Sequence, residues 1–329
     1  MPIQWGLKIQ ASIIFLGTGQ GSFVVGRNLL SSGGFILQVD DNQFHIDPGP
    51  NSLKNASQAG INLRANTALL VSHAHLNHAN DINAVIDAMT YSGLDKAGVL
   101  VASKSVVNGT GNLNASLISY YNNFLERFII LESGQRVGIN EVEIVALKTK
   151  HSDPTGIGFK FFTPYFTLTY SGDTKYSSEL AEQYKNSNIL ILNVPYLKKE
   201  EAKDNLCLED AIKIIKEVNP RLAIIQHFGA SMIKGDPLYL IREIQKETNI
   251  QTIAAKDGMV INPLSYSADQ GQKTLQSHKE EKAEEEIEDT KEGIVEDQEE
   301  IDEPSQEEQN ESEETLESDK PLSNVFKEN

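Results

Sequence analysis

The sequence predicts an α/β fold of four layers, an αββα sandwich in which two mixed β-sheets pack face to face with helices outside. Strand-like apolar runs alternate with amphipathic stretches along residues 1 to 265. This part of the chain is long enough for a large core, and polar residues cluster where the apolar runs end. We therefore expect any functional site at one edge of the sheets, in a groove formed by loops.

Twelve apolar runs have the character of strands. Those of the first half are 11–16, 34–39, 43–47, 67–72, 97–101, 128–132 and 142–147. Those of the second half are 156–162, 165–171, 188–193, 222–226 and 251–262. Four amphipathic stretches between them predict helices at 81–89, 177–184, 208–218 and 237–247.

The charge of the chain is concentrated near its C-terminus. Residues 271–329 hold 22 acidic residues and six lysines, a net charge of −16 out of −18 for the whole chain. Such a segment cannot bury enough apolar surface to offset its ordering entropy. We therefore expect one domain at 1–265 and a disordered acidic tail at 266–329. The tail is either a docking segment for a basic protein partner or a solvated appendage.

The single cysteine and the hydropathy of the chain predict its compartment. Cys207 has no partner for an intrachain disulfide, which fits a reducing interior. Residues 1–14 lack an apolar core of the kind found in signal peptides, and no apolar run is long enough to span a bilayer. We expect a cytoplasmic protein without membrane association. The oligomeric state does not follow from the sequence.

The segment 72–78, Ser-His-Ala-His-Leu-Asn-His, carries three of the seven histidines directly after an apolar run. Neutral imidazole is the commonest protein ligand of zinc, and a loop at a strand end can turn several rings onto one point. The composition gives only about 0.003 chance matches to this spacing. The motif therefore predicts a metal-binding loop that uses His73, His75 and His78.

Further candidate ligands follow other strand-like runs. His151 comes after run 142–147, Asp173 after run 165–171, and His227 after run 222–226. Rigid sheets hold functional residues at such exits. Taken alone, each of the three could instead be an ordinary strand-end or turn residue.

The order of these motifs resembles the metallo-β-lactamase superfamily of hydrolases, in particular its ribonuclease Z-like and archaeal-type branch. The resemblance spans about residues 11 to 262. Each motif is weak alone, but six in family order are strong evidence. They are Phe15-Leu16-Gly17-Thr18-Gly19, Ile46-Asp47-Pro48-Gly49, the histidine loop, His151, Gly172-Asp173-Thr174 and His227.

The resemblance implies a role for each matched residue. His73, His75 and His151 would bind one metal, His78 and His227 a second, and Asp173 would bridge both. Two close cations would hold a hydroxide and polarise the scissile group, so that hydrolysis needs no side-chain nucleophile. Asp47 would support the metal loop from behind, unless it is only a turn residue before Pro-Gly. Asp81 could do the same, although a polar residue in the first turn of a helix is the simpler interpretation.

Two positions depart from the family pattern. The usual loop is His-x-His-x-Asp-His, but this chain has Asn77, whose amide oxygen is a neutral and weaker ligand. Relatives often carry a substrate-contacting histidine where this chain has Asn205, which cannot act as a general acid. We expect zinc to bind firmly at the first site and weakly at the second, with manganese or iron as alternatives.

These departures leave two hypotheses from different classes. In the first, the protein is a hydrolase that works with one tightly bound metal, or with a second metal recruited by substrate oxygens, and Asn77 and Asn205 attenuate it. In the second, it is a metal-stabilised pseudoenzyme that binds a ligand or partner without turnover. As a hydrolase it would act on a small phosphodiester, a phosphorylated lactone or a related ester. Only 22 residues separate His151 from Asp173, which leaves no room for a tRNA-binding arm. The near-neutral domain also lacks the basic surface that long nucleic acids require.

Overall fold

The computed structural model describes residues 10–267. Contacts divide the chain into a unit of Met1–Gln272 and a unit of Lys273–Asn329, and the second unit lies wholly outside the described residues. The predicted acidic tail therefore falls almost entirely outside them. No helix in the described part of the chain has the length and apolar composition needed to cross a bilayer.

Fourteen strands and nine α-helices make up the described part of the chain. The strands are β1 (Ala11–Phe15), β2 (Phe35–Val39), β3 (Asn42–Ile46), β4 (Ala68–Val71), β5 (Val99–Ala102), β6 (Arg127–Ile130), β7 (Arg136–Ile139), β8 (Val142–Lys148), β9 (Ile157–Phe162), β10 (Thr167–Tyr170), β11 (Ile189–Asn193), β12 (Leu222–Gln226), β13 (Thr252–Ala254) and β14 (Val260–Ile261). The helices are α1 (Gly21–Val24), α2 (Ser52–Gln58), α3 (Leu76–Ala79), α4 (Ile82–Thr90), α5 (Lys104–Asn108), α6 (Ser178–Tyr184), α7 (Leu208–Val218), α8 (Ala230–Lys234) and α9 (Pro237–Thr248).

The strands form two mixed sheets of seven. The first has the order β14-β1-β2-β3-β4-β5-β6 and the second the order β13-β12-β11-β10-β9-β8-β7. In the first sheet, strands β3 to β6 run parallel to one another. In the second sheet, strands β10 to β13 do the same. All other neighbouring strands run antiparallel. The predicted four-layer sandwich is confirmed.

Apolar side chains from both sheets meet in the central core. Phe35 of β2 packs edge-on against Tyr170 of β10 at a centroid distance of 5.3 Å, and both rings are buried. The outer faces are covered by amphipathic helices, α4 on the first sheet and α6, α7 and α9 on the second. Burial of these faces is the main stabilising contribution to such a fold.

The parallel strands place their carboxyl ends at one edge. Strands β3, β4, β10, β11 and β12 all end there, and β8 runs in the same direction because two antiparallel steps separate it from β10. Polar residues that directly follow these strands are therefore brought together. This is how segments that are distant in sequence can build one site.

The structure corrects the predicted elements in two places. The single strand predicted at 251–262 is two strands, β13 and β14, in different sheets. Between them, the Asp257 carboxylate accepts hydrogen bonds from the backbone and hydroxyl of Thr18 and from the backbone of Ser31, which bends the chain. Strand β7 and five helices of four to seven residues were not predicted, because so few residues carry no clear periodicity.

Candidate metal centre

Six predicted ligands converge at the carboxyl edge of the sheets. Their centre is Oδ2 of Asp173, which lies 3.3 Å from Nε2 of both His78 and His227. The same oxygen lies 3.8 Å from Nε2 of His151 and 3.9 Å from Nε2 of His73. The sixth candidate ligand, His75, contacts His151 rather than Asp173: its Nδ1 lies 3.1 Å from Nε2 of His151. One carboxylate oxygen thus stands among the nitrogens of four imidazoles.

The ligand atoms fall into two overlapping groups. His73, His75 and His151 have ring nitrogens within 4.8 Å of one another, and so do the ligand atoms of His73, His78 and Asp173. His227 joins the second group, because its Nε2 lies 3.3 Å from Nε2 of His78. The first group is the set that the family resemblance assigns to one metal, whereas the second group also includes His73.

Two of the histidines are oriented by a shared carboxylate. Nδ1 of His78 lies 2.8 Å from Oδ2 of Asp47. Nδ1 of His73 lies 2.9 Å from Oγ of Ser72, which in turn donates to the same Oδ2 at 2.7 Å. Because Nδ1 of each ring is occupied in this way, Nε2 is the atom that can coordinate a metal ion. Such partners fix the tautomer and raise the basicity of a metal-binding imidazole.

Asp47 is itself fixed from several directions. Its carboxylate accepts hydrogen bonds from the backbone N–H of Ser72 at 2.7 Å and from the hydroxyl of Tyr170 at 2.6 Å. Its backbone has a positive φ of 51°, which is uncommon for a residue other than glycine. His227 also has a positive φ, of 67°. Backbone strain of this kind is found at functional sites.

Other neighbours support the remaining ligands. Nδ2 of Asn193 donates to Oδ1 of Asp173 at 2.8 Å, so Oδ2 is left facing the histidines. The Nδ1 atom of His151 donates to the backbone carbonyl of Asp204 at 3.0 Å, and the carboxylate of Asp204 lies 3.3 Å from the same nitrogen. Four of the six candidate ligands, His73, His78, His151 and Asp173, are therefore oriented by partners outside the cluster.

The electrostatics keep most of the cluster in a ligand-competent form. Burial lowers the pKa of the His73 imidazole well below its usual range, so that this ring is neutral. Burial alone would raise the pKa of Asp173, but His227 and His78 hold it well below its usual range. Burial lowers the pKa of His78, yet Asp173 and Asp47 outweigh burial and raise this pKa to about 10. The cluster favours a positive charge beside Asp173.

The donor set fits a divalent metal ion. Nε2 of His73 is fully buried and has no hydrogen-bond partner in the described part of the chain. A buried polar atom without a partner costs roughly 1–3 kcal/mol, and a cation would satisfy it. Imidazoles with one carboxylate are the ligands that zinc and similar metals prefer.

The other predicted site residues lie around this cluster. Asn77 is half-buried in α3, where its backbone carbonyl accepts a hydrogen bond from Ser32, and its amide has no hydrogen bond to any described residue. Asn205 is buried beside Asp204, and its Oδ1 has no partner among the described residues. Asp81 is not brought to the cluster, because its carboxylate accepts from Asn80 at the start of α4.

Several supporting residues were missed at the level of sequence. Ser72, Tyr170, Asn193, Asp204 and Asp153 all contact a ligand, its neighbour or its support. Asp153 holds the metal loop by accepting from the backbone of Ala74 at 3.0 Å. Ser72 and Asp153 are each within two residues of a predicted ligand and could have been chosen for that reason. Asn193 and Asp204 have no local signal.

Comparison with known proteins finds a matching domain family and a close relative in sequence. The model of the beta-lactamase superfamily domain matches residues 42–228. An uncharacterized protein of Methanocaldococcus jannaschii is 33% identical over 259 residues, which cover 78% of this chain and 97% of the relative.

Solved structures show a similar fold. The metallo-beta-lactamase fold protein YhfI from Bacillus subtilis is 17% identical with a TM-score of 0.63, and the match covers 77% of this chain and 99% of YhfI. A diphosphatase from the PhnP family is 15% identical with a TM-score of 0.59, over 77% of this chain and 98% of the diphosphatase. At these identities the likeness concerns the fold alone.

Proposed function

Because this chain belongs to the metallo-β-lactamase superfamily, we propose that it is a metal-dependent hydrolase of a small phosphodiester, phosphorylated lactone or related ester. The observation that carries the proposal is the position of Asp173 Oδ2 within 3.9 Å of four histidine nitrogens. One of the proteins with a similar fold is named a diphosphatase, which supports a phosphorus-containing substrate class for this chain.

The residues that would hold the ions follow from the two groups of ligands. His73, His75 and His151 would hold the first, His78 and His227 the second, and Asp173 would contact both. A bound divalent cation acidifies water and polarises the oxygen of a scissile phosphoryl or carbonyl group. We propose zinc, because the set is rich in imidazole, with manganese or iron as alternatives.

The protein's own contribution is the orientation of the ligands. Ser72, Asp47 and Asp204 fix the ring positions before substrate arrives, so little reorganisation is needed during reaction. Tyr170 cannot supply a proton readily, because its hydroxyl donates to Asp47 and burial raises its pKa well above its usual range. Tyr170 is therefore not a ready proton donor for the leaving group.

Asn77 makes the two metal positions unequal. The family pattern has a carboxylate here, and its replacement removes one negative charge from a site that must hold two dications. The first site keeps all three histidines, whereas the second keeps two histidines and the shared Asp173. The second ion should therefore bind more weakly than the first.

A metal-stabilised pseudoenzyme is the second candidate function. The observation that favours it is Asn205, whose buried Oδ1 has no partner among the described residues and which cannot transfer a proton near neutral pH. A bound ligand that donates a hydrogen bond would satisfy this oxygen without being cleaved. Turnover decides between the two candidates.

Metal content and hydrolysis measured on the same samples test the proposal. Wild type, Asn77→Asp and the exposed control Asn123→Asp would be analysed for metal per chain and assayed with a bis-aryl phosphodiester. We expect one firmly bound metal in wild type and two, with higher activity, in Asn77→Asp. The control variant should match wild type. Metal without turnover in both wild type and Asn77→Asp would favour the pseudoenzyme, and no metal in either would overturn both candidates.

A further inference from the structure

A groove of about 380 Å³ opens beside the metal centre. One wall is formed by residues 74–76, 79 and 80, which include the candidate ligand His75, and the other by residues 112–116. Because His75 lines the groove and is half-buried, a molecule that reaches the metal ligands from this side must pass through it. The volume lies within the range of small-molecule sites.

The lining of the groove is polar but uncharged. Three amides, Asn80, Asn112 and Asn114, and the hydroxyl of Ser116 alternate with the apolar side chains Leu76 and Leu113. Each amide offers both a donor and an acceptor. Of the residues described around this groove, His75 is the one with an ionisable side chain. The groove therefore offers hydrogen bonds and an apolar surface, but no cation.

The walls of the groove are held in place by the surrounding helices. The backbone of Ser116 donates to the carbonyl of Val106, and its own carbonyl accepts from the Asn83 amide in α4 at 2.8 Å. Thr110 and Leu113 pair their backbones and close the loop on itself. A groove with fixed walls needs less ordering when a ligand binds.

We propose that this groove binds an uncharged part of the substrate, one that carries hydroxyl and amide-type groups, and selects against substrates with a second anionic group. The inference rests on the proposed hydrolase function, because it assigns the substrate class of that same centre. A second phosphate would lie in a groove without a cation, near the Asp81 carboxylate that accepts from Asn80. Desolvating an unpaired charge there is unfavourable.

Three chromogenic diesters separate the groove from the metal chemistry, because all release p-nitrophenolate. They are bis(p-nitrophenyl) phosphate, thymidine 5′-(p-nitrophenyl phosphate), and the same thymidine ester with an added 3′-phosphate. With the metal-loaded full chain we expect kcat/KM for the second to exceed that for the third by about tenfold, since tenfold corresponds to a modest binding difference. Equal values for these two would overturn the inference and leave the proposed function standing.

Variants of the groove test the same point independently. Asn112→Ala and Asn114→Ala should each raise KM for thymidine 5′-(p-nitrophenyl phosphate), whose thymidine part is uncharged, about fivefold, as expected for one neutral hydrogen bond, with kcat unchanged. Asn112→Lys should reverse the preference in favour of the 3′-phosphorylated ester. Gln245→Lys in α9 adds the same charge outside the groove lining and should change neither value. Unchanged KM values in all groove variants would overturn the inference.

If no diester is cleaved, the binding of thymidine, measured by calorimetry, still tests the groove. The absence of turnover would contradict the hydrolase proposal but not the groove. Thymidine that binds wild type and binds Asn112→Ala more weakly would support the groove as a ligand site. No binding to wild type would overturn it.

Discussion

The Nε2 atoms of His78 and His227 face each other at 3.3 Å, and their side chains are only 3% and 5% exposed. Two imidazoles at this distance can share one proton, because two lone pairs would otherwise point at each other. A divalent cation satisfies both nitrogens at once. Either a shared proton or a bound cation would therefore satisfy the pair.

Removal of metal should lower the stability of the protein. A ligand that binds only the folded state stabilises it by about 2.7 kcal/mol when its free concentration is a hundred times its dissociation constant. We expect the unfolding free energy in zinc to exceed that in a chelator by an amount of this order, as measured by denaturant titration. A His73→Ala and His78→Ala double variant should show no such difference. An equal unfolding midpoint with and without metal in wild type would contradict the metal assignment.

Replacement of Asp47 by Asn should weaken metal binding. The carboxylate accepts from His78, Ser72 and Tyr170, and an amide cannot accept all of these hydrogen bonds. Loss of such an outer partner typically costs about 10–100-fold in metal affinity. Competition with a chromophoric chelator would measure this, with the exposed Asp41→Asn as control. The same affinity in both variants would mean that Asp47 does not support the ligands.

Replacement of Gly49 by Ala should destabilise the fold around the metal loop. A Cβ at this position would collide with the backbone carbonyl oxygens of Asn77 and Ser32. Because these are backbone atoms, they cannot move aside as the end of a flexible side chain could. Overpacking costs about 1–3 kcal/mol or more, and we expect the upper end. Gly138→Ala is the control, because a Cβ at Gly138 meets nothing within 4 Å. Thermal unfolding of the two variants would show whether only the first is affected.

His45 should make stability depend on pH. Burial lowers the pKa of this imidazole to about 4, against an ordinary value of 6.5. Between pH 6.5 and 4 the imidazole is protonated in the unfolded chain but not in the folded one. The free energy of unfolding is therefore highest above pH 6.5 and falls as the pH drops toward 4. The loss approaches roughly 3 kcal/mol at pH 4.

The variant His45→Gln isolates this effect. Denaturant unfolding of wild type and variant would be compared at pH 7 and 4.5 in chelator, so that metal release contributes to neither. We expect the variant to lose less stability on acidification than wild type. Parallel pH profiles would show that His45 is not the titrating group.

The convergence of the six candidate ligands could be predicted because each has a local signal. His73, His75 and His78 stand in one short motif, and His151, Asp173 and His227 each follow an apolar run. Since parallel strands end at a common edge, position at a strand exit predicts convergence. The same reasoning predicts the four-layer sandwich and the helix Leu208–Val218 with its observed bounds.

The supporting contacts could not be predicted, because they join residues far apart in sequence. Asp204 meets His151 across 53 positions, and Tyr170 meets Asp47 across 123. No periodicity or motif encodes such a pair. The strand predicted at 251–262 failed for a similar reason, since the bend at Asp257 depends on contacts with Thr18, 239 positions earlier.

Each of the two sheets contributes three residues to the cluster, and this has a consequence for folding. The histidine loop follows β4 of the first sheet, whereas His151, Asp173 and His227 follow strands of the second. An ion held by both sets would be a cross-link between the sheets, closing a loop of 149 positions between His78 and His227. Closure of so long a loop is entropically costly in an unfolded chain. Neither sheet alone could bind the ion as the whole domain does, so tight metal retention would report that both sheets have docked.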